Sequence, residues 1–180
     1  MSLPSLSLHI QRLDAWKGGS PAPARELDDA IRDFEAGLAT FESAGDRLTA
    51  ASAAFFLSIA LRVKARAIPH EAVALLAQSC ATAGRGRDNA IADAERGGVN
   101  ERNTSSYATV TCEAGHAYLA LGEVQHGSEA EASFRQAASF FGEAAAGYRR
   151  LGSDDKARAA ELKAVEARGR AALAQPDAAD

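Results

Sequence analysis

Residues 41–55 read FESAGDRLTAASAAF and residues 148–162 read YRRLGSDDKARAAEL, one helical phrase stated twice. Superposed, Phe41 falls on Tyr148, Gly45 on Gly152, Ala50 on Ala157, Ala53 on Ala160 and Phe55 on Leu162. Each copy sets an aromatic one turn ahead of a glycine, then an Ala-rich run. A glycine there ends a helix at low conformational cost. The alanines that follow let the next helix approach closely. The phrase therefore demands two helices joined by a tight turn, and the chain makes that demand near both of its ends.

Apolar spacing extends the pattern. Leu27, Ile31, Phe34, Leu38 and Phe41 recur three and four apart, which predicts a helix over 24–44 with one buried face. Asp46 caps the next, 46–67, which is apolar nearly all round and so calls for neighbours on several sides. Pro69 breaks it. Further helices are read at 70–83 and, after an interrupting GRGRD, at 88–96. GGVNERN is the loosest internal loop, and Thr104, Ser105 or Ser106 caps the helix 105–122. Phe134, Ala137, Phe141, Ala144 and Tyr148 alternate large and small along 129–151, a pattern that interlocks two helices. The last helix, 154–174, closes the fold with Ala157, Leu162, Val165 and Ala172. Residues 5–16, with Leu13 and Trp16, form a short amphipathic helix or an extended strap that docks on the main body. No run alternates with the period of a strand. The expectation is an all-α fold of seven antiparallel helices stacked as hairpins: strap and linker over 1–23, helical domain over 24–174, frayed tail over 175–180.

Composition limits the function classes. Hydrophobic residues make up 47% and charged residues 24%, an ordinary globular balance. A net charge of −4 argues against a nucleic-acid partner, which selects a basic face. Cys80 and Cys112 are too few and too far apart for a disulfide framework, and read as reduced thiols of a cytoplasmic protein. The opening residues lack the basic and apolar regions of a secretory signal. The longest uncharged stretch, 49–61, is short of the roughly 20 residues that span a bilayer, so it reads as a buried helix and not a membrane anchor.

The phrases at Phe41 and Tyr148, with AYLALG at 117–122, resemble tetratricopeptide-type repeats. The form made by Phe41, Ala44, Gly45, Asp46, Ala50, Ala51 and Phe55 is also similar to the repeats of soluble NSF-attachment proteins. The resemblance covers 24–66 and 105–173. It implies stacked helix hairpins that bind protein segments in a groove without catalysis, and a SNARE or trafficking-type partner.

Two sets of residues are candidate partner contacts. Glu113, His116 and Cys112 lie on the face of 105–122 opposite its apolar stripe. Arg62, Lys64 and Arg66 end the 46–67 helix and can clamp a carboxylate. Glu113 and His116 are half of a di-iron carboxylate motif, but no second ExxH accompanies them, so neither metal nor cofactor is expected. Arg85 and Arg87 read as solvated loop charges, and Arg149 and Arg150 as surface partners of Asp154 or Asp155. The leading reading is a protein-interaction scaffold. The alternatives are a small helical-bundle enzyme or ligand carrier with its site between helices, and a subunit that self-associates through a terminal helix.

Overall fold

The computed structural model describes residues 3–20 and 22–174; the tail read at 175–180 lies outside them. Seven α-helices follow one another: α1 Leu3–Lys17, α2 Ala24–Ser43, α3 Arg47–Ala67, α4 Ala72–Gly97, α5 Glu101–Val124, α6 Gly127–Arg150 and α7 Asp154–Leu173. A short 3-10 turn, Pro69–Glu71, joins α3 to α4, and the described residues contain no strand. Short turns make neighbours antiparallel. From α2 onward each helix packs on the next, and α3 also meets α5 directly. The fold is all-α.

The two phrases become the same turn. Gly45 and Gly152 take left-handed backbones, φ 73° and 66°. The Asp46 N–H donates to the Phe41 carbonyl at 2.9 Å and the Gly45 N–H to that of Glu42 at 3.1 Å. Ser153 and Gly152 repeat this with Tyr148 and Arg149, both at 2.9 Å. The Asp46 side chain then accepts from the Thr49 N–H at 3.1 Å, so the residue that leaves one helix caps the next.

Alternation of ring and notch sets the α5–α6 register. A Cβ added to Gly115 would lie 2.8 Å from the Phe141 ring, and one added to Gly122 2.7 Å from the Phe134 ring. A Cβ on Gly147 would sit 2.9 Å from that of Ala108. The α5 positions climb by sevens while their α6 partners descend. Each ring sits against bare backbone, and Phe134, Phe141 and Tyr148 are buried.

Three expectations need correction, and of the two forms read for the strap the helix is the one seen. GRGRD does not interrupt: α4 runs through it, because Gly86 faces Ala54 and Val110, where an added Cβ would be 3.2 and 3.4 Å away. A mid-helix glycine costs about 1 kcal/mol, and close packing against two helices outweighs that. α5 starts earlier than expected. Asn100 caps it, in a reciprocal pair with Asn103, while Thr104 bonds back to the Asn100 carbonyl from inside the helix. The strap is helical, and its Leu13 and Trp16 join the core of α2, α3 and α4. In α7, Leu162 and Val165 are exposed, and Ala157, Ala160, Ala164, Ala167 and Ala171 make the buried face.

By length and composition α3 alone among the described helices could cross a membrane, yet 61% of its most apolar window is buried in the fold. Its all-round apolar surface is explained by α1, α2, α4 and α5, which surround it.

Candidate functional site

α5 brings the two candidate sets together. It is wedged among α3, α4 and α6, so the side opposite its apolar stripe meets other helices. Glu113 is 2% exposed. Arg62 of α3 grips it in bidentate fashion: Nε donates to Oε1 at 2.7 Å and an Nη to Oε2 at 2.9 Å. Ser58 donates to the same Oε1 at 3.1 Å. A carboxylate offers only lone pairs, so the single Ser58 proton is committed to Glu113. Ser79 of α4 therefore donates in the 2.8 Å contact between the two hydroxyls, with the Ser58 carbonyl a second acceptor at 3.0 Å. One chain of donors thus links α4, α3 and α5 and leaves the buried charge fully matched. The carboxylate that Arg62 clamps belongs to its own chain.

Beyond this pair, the C-terminal ends of α3 and α5 and the start of α4 frame a cleft of about 430 Å³. Ala65, Ala72, Leu76, Leu119 and Ala120 supply its apolar lining; Arg62, Arg66, His116 and Glu123 supply the polar groups. Arg62 is neutralised by Glu113, and Glu123 by Arg170 of α7. Among the described residues Arg66 pairs with no carboxylate; its one hydrogen bond there, 3.4 Å long, is donated to the Trp16 carbonyl of α1. The cleft therefore holds one unneutralised guanidinium beside apolar surface.

His116 sets its ring edge-on to Phe141, centroids 5.0 Å apart. Burial, then the cations Arg62, Lys163 and Lys17, lower its pKa to about 4 against a weaker pull from Glu166. At neutral pH it is an uncharged imidazole. Cys112 faces the other way, against α6 and α7, and burial, reinforced by Glu113, pushes its thiol up to about 11. Burial holds Cys80 at about 12. Neither thiol is an activated nucleophile. Lys64 points to α2, where it binds Asp28 at 2.8 Å. So Arg62, Arg66 and His116 share the cleft, Glu113 anchors its floor, and Lys64 and Cys112 lie elsewhere. No group of three or more His, Cys, Asp or Glu side chains among the described residues is placed to hold a metal.

The arginines read as solvated are structural. Arg87 donates to Glu143 at 2.6 Å and to the Tyr107 hydroxyl at 3.1 Å, its guanidinium 4.5 Å from the centre of the Phe140 ring. It ties α4 to α5 and α6. Arg85 binds Glu42 of α2 at 2.6 Å, and Arg149 pairs with Glu161 instead of Asp154 or Asp155. Ser58 and Ser79 escaped sequence reasoning; their only signal was a hydroxyl inside each of two otherwise apolar faces. Compared with known proteins, the chain matches no family model, no curated protein and no solved structure.

Proposed function

We propose that this chain is a non-catalytic interaction module of tetratricopeptide-like build, working in the cytoplasm, that holds a segment of a protein partner in the cleft between α3, α4 and α5. The observation that carries the reading is Arg66: a guanidinium without a carboxylate among the described residues, at the edge of an apolar cleft whose walls are locked by the Arg62–Glu113 pair. A fixed wall lowers the ordering cost of binding. A free guanidinium beside apolar surface suits a carboxylate flanked by an apolar side chain. Protonated thiols and a neutral histidine without a hydrogen-bonded partner supply no activated nucleophile, which favours binding over catalysis. The resemblance to NSF-attachment repeats directs the search toward SNARE-type helical segments.

The test is a photo-crosslinking residue at Val124, on the cleft rim, introduced in cells of the source organism. A discrete crosslinked protein that disappears when Arg66→Glu is added supports the reading. Crosslinks indifferent to Arg66 overturn it. So does a small molecule or metal that co-purifies in stoichiometric amount, which would favour the ligand-carrier alternative; 430 Å³ falls within the usual range of small-molecule pockets.

A further inference from the structure

α1 lies on the fold as a bound helix would. It reaches α2 through the longest connection between helices, 18–23, which reads GGSPAP. Gly19 there takes φ 100°, and a Cβ added to it would meet nothing within 4 Å, so the joint is open. α1 rests mainly on α2 and α3. Of residues 6–17 only His9, Leu13 and Trp16 are buried, four and three apart along one stripe. Leu13 and Trp16 share a core cluster with Leu27 and Phe34 of α2 and Ile59 and Val63 of α3. A single amphipathic helix laid on a surface that other helices build is the geometry of helix-in-groove recognition.

The fit of α1 is imperfect. His9 is 7% exposed; its Nε2 donates to an Asp33 carboxylate oxygen at 3.1 Å, while its Nδ1 is buried without a partner among the described residues. A buried ring nitrogen left unmatched weakens the docked state in either protonation form. The Trp16 carbonyl already accepts from the Gly19 N–H at 3.1 Å and receives Arg66 only at 3.4 Å. The pair between Arg12 and Glu26, 3.0 Å, is partly exposed and so holds little. The surface beneath nevertheless has a definite charge pattern. Glu26 and Asp33 of α2 border it, and Arg66 stands at the carbonyl end of α1, where a cation complements the helix dipole.

We infer that the face of α2 and α3 under α1 is a docking surface for a basic amphipathic helix of a partner protein, and that α1 fills it until such a helix takes its place. The partner carries large apolar residues at the places of His9, Leu13 and Trp16 and a basic residue at the place of Arg12. An apolar side chain at the His9 place fills that space with no nitrogen to strand, and Asp33, 31% exposed, is left to water. That advantage is what a partner sets against the high local concentration at which the linker holds α1. The inference does not rest on what the cleft holds.

The probe is a fluorescein-labelled peptide of residues 3–19 carrying His9→Leu and Trp16→Phe, titrated into the full chain. Trp16 is the only tryptophan of the chain, so its emission reports α1 alone. Probe anisotropy should rise and saturate, with the Trp16 emission moving to the red in step. Leu13→Asp in the chain loosens α1 and should tighten probe binding at least about tenfold. A second probe that also carries Arg12→Glu places the helix: the wild type should prefer the first probe and a Glu26→Arg chain the second. Hydrogen exchange of the wild type needs no variant to fold, and α1 amides should exchange at least about tenfold faster than those of α3. Exchange of α1 no faster than α3 overturns the inference, because α1 then leaves only when the whole chain unfolds. Binding that leaves Trp16 emission unmoved overturns it too, since the peptide then sits elsewhere. A probe preference that does not reverse overturns the placement of the helix. A wild type that ignores the probe and dimerises in sedimentation makes the occupant α1 of a second copy and overturns the partner assignment.

Discussion

Gly115→Ala tests whether ring-in-notch packing sets the helix register. The new methyl would sit 2.8 Å from Cδ1 and Cε1 of Phe141 and 3.0 Å from its Cγ. Phe141 is 0% exposed, so its ring has nowhere to retreat. Overpacking of this kind costs about 1–3 kcal/mol. Replacing a mid-helix glycine by alanine returns about 1 kcal/mol. The net expectation is about 0–2 kcal/mol of destabilisation, a drop of up to roughly 8 °C in melting temperature for a chain of this size. Gly142, on α6, is the internal control, because nothing lies within 4 Å of its added Cβ. Gly142→Ala should stabilise by about 0.5–1 kcal/mol. Urea titrations followed by circular dichroism at 222 nm read both variants. Shrinking the ring gives a second check: in a Phe141→Leu background, Gly115→Ala should cost at least about 1 kcal/mol less than in the wild type. If Gly115→Ala stabilises as much as Gly142→Ala, the notch is not a constraint and the register argument fails.

Three further outcomes follow from the site. Glu113→Ala strands the Arg62 guanidinium, takes away the Ser58 acceptor and should destabilise by about 3–5 kcal/mol, whereas the double replacement Arg62→Met with Glu113→Met should lose much less; a thermal-melt comparison distinguishes the two. His116 is held at about 4 in the fold against an ordinary value of 6.5. The unfolded chain therefore takes up the proton first, and stability present above pH 6.5 should decline as pH falls toward 4, by about 2 kcal/mol for a group that keeps some solvent contact. Urea midpoints of the wild type and His116→Gln from pH 7 to 4 check this, and equal slopes would refute it. Cys80 and Cys112 should react with a disulfide reagent at pH 8 far more slowly in the fold than in urea, since burial keeps both thiols protonated.

Periodicity made most of the architecture legible. Leu27, Ile31, Phe34 and Leu38 are buried on α2 as their spacing demands, and the Gly45 and Gly152 stops appear as left-handed turns. Two of the misreadings share one physical cause, that local signals were overruled by neighbouring helices. The glycines of GRGRD signal a break only when nothing packs on them, and Gly86 is packed on by two helices. Glu113 and Cys112 sit opposite the α5 stripe, a side that periodicity alone leaves to solvent or to a neighbouring helix. A helical wheel separates the two sides of a helix but does not say that α3, α4 and α6 cover both. The Arg62–Glu113 pairing, 51 residues apart in the chain, was hidden for the same reason.

The fate of the second phrase was written in its departures from the first. Ala51, Ala54 and Leu61, which α3 buries, correspond to Arg158, Glu161 and Arg168 on α7. Among the described residues no helix packs on these positions, and Arg158 and Arg168 are exposed. On the buried side of α7, Ala157, Ala160 and Ala167 keep the alanines of Ala50, Ala53 and Ala60, while Ala164 and Ala171 stand where α3 has Leu57 and Lys64. Yet Leu162 and Val165 survive between those charges, and Val165 stands where α3 has a serine.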